Sequence, residues 1–312
     1  MPQSQIIKSS KLSWLNIINA SEREISYLKK KFKFEQLDLD DSYAHKHAQR
    51  PKMYMRSNYV FLVLLFPVYN RKTREITPAE IDTYITKDHL ITIHYNQLIP
   101  LREFFNDCQR DANERERYLG DNPWLLYYEI LDRLYVTIFP MLDHISLDVN
   151  NIEKNIFAGK EREMVKEILV IKRNIVYFRK IMQVHRNLLF KLVQQKLMAV
   201  ANGEGENIKN YYRDLIDHTQ NIWDLLENYH QTINALEDTN SALVSFKLND
   251  IMRTLTIFSV IVFPLTLLAS IFGMNAREIP IVGSALDFWK IIGIMIVASV
   301  SMYIYFKHKK WI

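Results

Sequence analysis

One cysteine, Cys108, stands in 312 residues. That excludes an internal disulfide framework and a multi-thiolate metal site, and it points to a reducing compartment for most of the chain. Glycine is scarce as well. There are seven, and none forms a Gly-rich run before Lys-Ser/Thr or behind a strand in a dinucleotide pattern. The sequence therefore offers no backbone cradle for nucleotide phosphates, and no nucleotide is expected as a partner. Met1 to Trp14 lacks the apolar core of a secretory signal, so export by that route is not expected. No nucleophile–base pairing or other catalytic motif stands out, which leaves an enzyme as the least supported class.

Charge is nearly missing from one region. Between Thr254 and Phe306 only Arg277, Glu278, Asp287 and Lys290 are charged, 4 of 53 residues, against 71 of 259 elsewhere. Residues 254–272 contain neither a charge nor an amide, and 19 helical residues at about 1.5 Å each match one hydrocarbon thickness. A second apolar run, residues 288–306, is broken only by Lys290 and carries Trp289, Tyr303 and Tyr305 near its ends, where aromatic belts form. A buried helical hairpin is the soluble alternative. Lys247 and Arg253 precede the first run, and Lys307, Lys309, Lys310 and Trp311 follow the second. Positive-inside asymmetry then puts both termini in the cytoplasm and the short connection outside. The net charge of +5 suits a basic edge against membrane lipid as well as it suits nucleic acid, and nucleic acid is not expected.

The polar part divides further. Residues 1–120 read as a mixed α/β domain. Residues 59–69 form an apolar run fit for a buried strand, and residues 81–85 and 90–95 alternate around a Lys87-Asp88 turn. Residues 121–206 predict two packing helices. The first starts at Pro123, kinks at Pro140 and ends at Gly159; the second covers residues 161–201, before Gly203 and Gly205. A third helical pattern begins near Asn207 and meets no stop before Gly273, a length approaching 100 Å. The expected order is then a stalk over 207–250, a first span over 251–274, an outer loop over 275–287, a second span over 288–307 and a basic tail over 308–312. The fold class is an α+β cytoplasmic domain followed by long helices and two C-terminal transmembrane helices.

The third helix carries a seven-residue repeat. One row is Asn210, Asp217, Asp224, Gln231, Asp238, Ser245, Met252, Ser259, Thr266 and Gly273. Its companion, four residues on, is Asp214, Asn221, Asn228, Ala235, Ala242, Asn249, Thr256, Phe263 and Ser270. Together they make one polar or small stripe. Leu215, Ile222, Tyr229, Leu236 and Leu243, with Leu226 and Ile233, lie about 150° away around the wheel. A solvated face explains the soluble half of this stripe, and close helix packing explains small residues in the membrane half. One register through both media is better explained by an aqueous path. Two spans per chain cannot enclose a path, so several copies must surround an axis. Asp217, Asp224 and Asp238, repeated by symmetry, would favour cations. The neutral oxygens of Asn249, Thr256, Ser259, Thr266 and Ser270 suit a cation that keeps its water shell, as Mg2+ does. Met252, Leu255 and Phe263 are bulky enough to form constrictions that gate by dewetting.

These residues resemble a known family. The segment Lys247-Leu-Asn249-Asp-Ile-Met252-Arg253-Thr-Leu255-Thr256, then Phe263-Pro264-Leu265-Thr266, then Phe272-Gly273-Met274-Asn275, is similar to the first span of CorA-type magnesium channels. So is the ending Tyr305-Phe306-Lys307-His308-Lys309-Lys310-Trp311-Ile312. The resemblance implies a funnel-shaped homopentamer in the plasma (inner) membrane, with the first span lining the pore. Gly273, Met274 and Asn275 would ring the outer mouth, where Asn275 engages the ion's hydration shell with the help of the Gly273 carbonyl. It also implies Mg2+ as both cargo and regulator, with cobalt as a second cargo. The regulatory ion would sit at Asp214 in the Tyr212-Arg213-Asp214-Leu-Ile-Asp217-His218 segment, shared with an acid of the neighbouring subunit among Asp38, Asp40 and Asp41, of which Asp41 is the choice. A solvated acidic turn is the alternative for that trio. Phe272 stands where the family usually has Tyr, and the outer loop keeps Glu278 alone. ZntB-like zinc transporters share the architecture, so Zn2+, Co2+ or Ni2+ transport stays open, as does a membrane-anchored coiled-coil sensor that conducts nothing. His45, His47, His89 and His94 are expected to be structural or solvated.

Overall fold

The computed structural model describes residues 4–43, 50–120, 122–194, 205–274, 281–283, 286–309 and 311. They fall into two compact units, Met1–Glu237 and Asp238–Ile312.

The first unit is built on one six-stranded sheet. Its strands are β1 (Ser4–Lys8), β2 (Ser13–Ile18), β3 (Lys52–Met55), β4 (Val60–Asn70), β5 (Glu75–Ile85) and β6 (His89–His94), in the spatial order β1-β2-β6-β5-β4-β3. Every pairing is antiparallel except β2 with β6, where Ser13 lies opposite His89 and Ile18 opposite His94. The apolar run and both alternating segments of the sequence are β4, β5 and β6. The sheet is covered on both sides. One face packs Leu15, Ile17, Phe61, Val63, Tyr84, Ile91 and Ile93 against α1 (Glu22–Phe32) and α2 (Gln36–Tyr43) through Ile25, Leu28 and Leu39. Ser21 opens α1 with a capping box, the Glu24 carboxylate accepting from the Ser21 backbone N–H at 3.0 Å, and Lys33 closes it at φ 56°.

On the other face Trp14 meets Phe104 and Phe105 of α3 (Ile99–Arg110), with ring centroids 5.4 and 4.9 Å apart. A short α4 (Ala112–Tyr118) follows. Asn122 then caps α5 (Pro123–Val136), its side-chain oxygen accepting from the Trp124 N–H at 3.0 Å, with Pro123 in the first turn where no N–H is needed.

Where two long packing helices are expected, each is divided. The first breaks at Thr137, between α5 and α6 (Ile138–Phe157), and Thr137 Oγ1 donates to the Leu134 carbonyl at 2.8 Å. The interruption expected at Pro140 falls one turn earlier, because proline has no N–H for the Val136 carbonyl and its ring crowds that carbonyl; Pro140 itself is the third residue of α6. The second breaks between α7 (Glu161–Met182) and α8 (His185–Gln194). The buried His185 sits at that break, its Nδ1 2.7 Å from the Tyr135 hydroxyl and its Nε2 2.7 Å from the Leu65 carbonyl. Residues 195–201 of the expected helix lie outside the described residues. Asn174 of α7 is tied to β5, accepting from the Ile76 N–H at 3.3 Å and donating to the Arg74 carbonyl at 2.9 Å.

The third helix is one element, α9 (Gly205–Phe272), 68 residues with Pro264 inside it. In the first unit its apolar row is its buried row: Leu215, Ile222, Leu226, Ile233 and Leu236 are buried and Tyr229 is half-buried. At roughly 1.5–3 kcal/mol for each buried aliphatic side chain, that row is what holds the helix to the unit. In the second unit the end of α9 is joined by α10 (Asp287–His308). These two helices have the length and apolar composition to cross a membrane, with mean hydropathy of 2.4 and 1.7 in their apolar windows. The apolar side chains buried in this unit, among the described residues, are Ile257 and Phe306.

Candidate functional site

The polar stripe of α9 is uncovered in a single chain. In the first unit Asn210, Asp214, Asp217, Asn221, Asp224, Asn228, Gln231 and Ala235 are all exposed. Asp238, Ser245, Asn249, Met252, Thr256, Phe263, Thr266, Ser270 and Gly273 are exposed in the second, as is Leu255, with Ser259 half-buried. Leu243 is half-buried, so the buried row fades in the second unit while the stripe does not.

Four hydroxyls on the stripe share one geometry. Ser245 donates to the Ser241 carbonyl at 2.9 Å, Thr256 to Met252 at 2.8 Å, Ser259 to Leu255 at 2.9 Å and Thr266 to Val262 at 3.0 Å. Each thus spends its hydrogen on the backbone one turn back and presents only lone pairs outward. Met252, Leu255 and Phe263, at 60%, 57% and 71% exposure, are the large apolar side chains that break this row of acceptors.

At the outer end Gly273 continues the helical bonding, its N–H donating to the Ala269 carbonyl at 3.0 Å, and Met274 follows with a bond to Ile271 at 3.3 Å. A Cβ on Gly273 would stand 3.1 Å from the Ala269 oxygen, a tight approach that glycine avoids. Asn275 lies outside the described residues, as do Lys310, His45 and His47. At the other end Arg253, Lys307 and Lys309 are exposed, and Trp311 stacks on Phe306 with centroids 5.8 Å apart.

Asp214 has company that the sequence did not announce. Asp132 of α5 and His218, one turn along α9, stand with it, each offering a ligand atom within 4.8 Å of the others. His218 Nδ1 is 3.9 Å from Asp132, and its Nε2 is 3.9 Å from Asp214. Burial raises the Asp132 pKa above the ordinary carboxylate value; His218 opposes the shift and the Asp214 charge adds to it. Phe139 closes one side, its ring edge-on to the imidazole at 6.0 Å. Ligands around a directly bound octahedral Mg2+ would sit about 3 Å apart, so the three side chains either close by up to about 2 Å or hold a cation through its water.

The acidic trio is not a solvated turn. Asp38 is fully buried and accepts from Arg56 Nε at 3.0 Å, Arg56 Nη2 at 2.7 Å and the Tyr59 hydroxyl at 2.6 Å. Asp41 pairs with Lys52 at 2.5 Å, and Asp40 accepts from Gln36 at 2.6 Å. His94 is buried against Asn16, with its pKa lowered to about 4 by burial, and His89 pairs with Asp88 at 2.8 Å. Both are structural, as expected.

An α/β domain, a helix that carries an uncovered acceptor stripe toward its apolar end, a second helix of membrane-crossing length, and a carboxylate–imidazole cluster together define a membrane protein that handles cations. The sequence profile described as "CorA-like Mg2+ transporter protein" matches residues 9–308, and the chain belongs to that family. It is a membrane transporter of divalent cations, with two apolar helices at its C-terminal end. Among curated relatives, the "Cobalt/magnesium transport protein CorA" of Thermotoga maritima is 30% identical over 310 residues, covering 97% of this chain and 84% of that protein. Among solved structures, the complete CorA magnesium transporter of Methanocaldococcus jannaschii superposes with a TM-score of 0.81 at 20% identity, over 98% of this chain and 93% of the other. The cytoplasmic domain of ZntB from Vibrio parahaemolyticus does so at 0.55 and 15% identity, over 76% and 89%.

Proposed function

We propose that the chain forms a homopentameric Mg2+ channel of the plasma membrane, with both termini in the cytoplasm and residues 275–287 outside. The observation that carries this proposal is the row of stripe hydroxyls whose hydrogens are bound to their own helix. A hydrated cation points water hydrogens outward, and a wall of lone pairs receives them without stripping the shell, which Mg2+ gives up reluctantly. Asn249, Thr256, Ser259, Thr266 and Ser270 supply that wall, and Asp238 begins the row on the cytoplasmic side. Met252, Leu255 and Phe263 close the path when it dries. Gly273, Met274 and Asn275 form the outer mouth. Arg253, Lys307, Lys309 and Lys310 form the basic lipid edge. Entry down the electrochemical gradient gains about 4.6 kcal/mol for a divalent ion at 100 mV.

Cytosolic Mg2+ held at Asp214, with Asp132 and His218, keeps the channel shut, and its loss opens it. The imidazole in that cluster favours a second reading of the cargo, since His suits Co2+, Ni2+ and Zn2+ better than Mg2+. The deciding experiment is flux into proteoliposomes holding the full chain, with Mg2+, Co2+, Ni2+ and Zn2+ compared, with and without a proton gradient. Mg2+ uptake that Asn275→Ala abolishes and Asp214→Ala frees from internal Mg2+ is the expected result. Zn2+ flux that exceeds Mg2+ flux and follows the proton gradient would replace the proposal with the second reading.

A further inference from the structure

The first unit holds a cavity of about 830 Å³, lined by β4, the start of α3, the α5–α6 break and α7. Its origin is local. Proline at 140 interrupts the helix one turn earlier, at Thr137, and both residues line the gap. Phe66, Leu98, Met141, Ile145 and Ile171 make much of the lining apolar. Volumes up to about 1,000 Å³, mostly apolar with a few placed polar groups, are the form of small-molecule sites.

The polar groups on this lining have unused capacity. Asn174 is the most buried, at 3% exposure. Its Oδ1 accepts from the Ile76 N–H, and one amide hydrogen goes to the Arg74 carbonyl at 2.9 Å. The second amide hydrogen has no acceptor among the described residues, and a buried N–H left so is costly. Asp148 of α6 is half-buried and Glu103 of α3 is exposed. Among the described residues, neither makes a hydrogen bond or an ion pair. Arg74, whose charge reaches Asp148, is held by both oxygens of Glu167 at 3.2 and 2.7 Å. Burial accordingly leaves the Asp148 pKa above the ordinary carboxylate value. Thr137 Oγ1 spends its hydrogen on the Leu134 carbonyl and keeps only lone pairs. Arg71, also on the lining, is exposed and bound to neither acid.

A bare metal ion does not suit this set. Glu103, His144 and Asp148 do not come within 4.8 Å of one another as Asp132, Asp214 and His218 do. Two unpaired carboxylates repel an anion. A larger cation answers every unused group. We infer that the cavity binds an organic ammonium compound, its charge beside Asp148 and Glu103, its apolar body along Met141 and Ile145, and an acceptor oxygen against the spare N–H of Asn174. Thr137 adds a further acceptor for the ammonium. Bound there, the compound joins α3, α6 and α7 across the break that ends α5. The site is the same whichever metal the chain carries.

Tyramine carries the three features, and calorimetric titration of the full chain in detergent tests them one by one. Phenethylamine lacks the oxygen, and para-ethylphenol lacks the charge. Tyramine is expected to bind the parent, and each analogue to bind about tenfold or more weakly, roughly the worth of one lost hydrogen bond to a buried or charged group. Asp148→Asn should weaken tyramine by a similar factor. Met141→Trp, which fills the space from a half-buried position, should abolish binding. Hydrogen exchange should slow on tyramine addition at the amides around Thr137. Heat in the parent no greater than in Asp148→Asn overturns the proposal, and so does para-ethylphenol binding as tightly as tyramine. Phenethylamine binding as tightly as tyramine overturns the part given to Asn174. Undiminished tyramine binding in Met141→Trp would put the amine on the micelle or another surface, and it too overturns the proposal.

Discussion

Asp38 shows how a single side chain can be misjudged from its neighbours. In Leu37-Asp38-Leu39-Asp40-Asp41 it looks like one of three interchangeable acids. The fold gives it a buried seat with a bidentate Arg56 and the Tyr59 hydroxyl, while Asp40 and Asp41 stay near the surface. Truncating one partner of a buried pair costs about 3–5 kcal/mol, because the other charge is left without compensation. Asp38→Ala should lower unfolding free energy by about that much in a denaturant titration, and Asp40→Ala by less than about 0.5 kcal/mol. Glu80 and Asp82 were hidden in the same way. Alternation in Glu80-Ile-Asp82-Thr-Tyr84-Ile reads as a strand with one wet face, and nothing local says that α2 will cover it. Asp132 gave no signal at all. It is one acid on an amphipathic helix, and only folding brings it to Asp214 and His218, whose four-residue spacing was visible.

Elements were legible in proportion to how local their causes are. β4, β5, β6, α9 and α10 are long and periodic, so their patterns are self-sufficient. β1, β2 and β3 are short, and β2 is buried along nearly its whole length, which erases the alternation that marks a half-exposed strand. The break at Thr137 was announced by Pro140 one turn later, whereas the break before His185 was invisible because its cause is tertiary. His185 is held by α5 and β4, elements that lie 50 and 120 residues away in the chain. Its burial lowers its pKa to about 4, below the ordinary 6.5. A depressed histidine contributes stability that is complete above the unfolded pKa and is lost as pH falls toward the folded one. His94 behaves alike, so between pH 6.5 and 4 the two together should steepen the fall of melting temperature, each by up to about 1.4 kcal/mol per pH unit. His185→Gln should remove about half of that slope. Hydrogen exchange should show the acid-labile amides clustered where α5, α8 and β4 meet.

At the scale of the whole molecule, a chain with an uncovered stripe is an incomplete object. In the proposed channel the exposed row of α9 faces water and other copies, and the exposed apolar surface of the second unit faces lipid. Native mass spectrometry in detergent should find pentamers, and monomers should be absent at concentrations where flux is measured. Thr266→Val keeps the shape of the side chain while removing its lone pairs. It should cut Mg2+ flux by tenfold or more without changing the oligomer. Flux unchanged by that substitution would mean that the hydroxyls serve packing rather than conduction.

The order of elements along the chain is also an order in time. β2 lies between β1 and β6, and its parallel partner ends at His94, so the sheet can close only after some 94 residues have emerged from the ribosome. The uncharged stretch that begins at Thr254 comes about 160 residues later. At 5–20 residues per second that interval is roughly 8–30 seconds, ample for a domain of this size to fold. The nascent chain therefore reaches the membrane with its α/β sheet already closed, and the insertion machinery receives its first signal after that domain has folded.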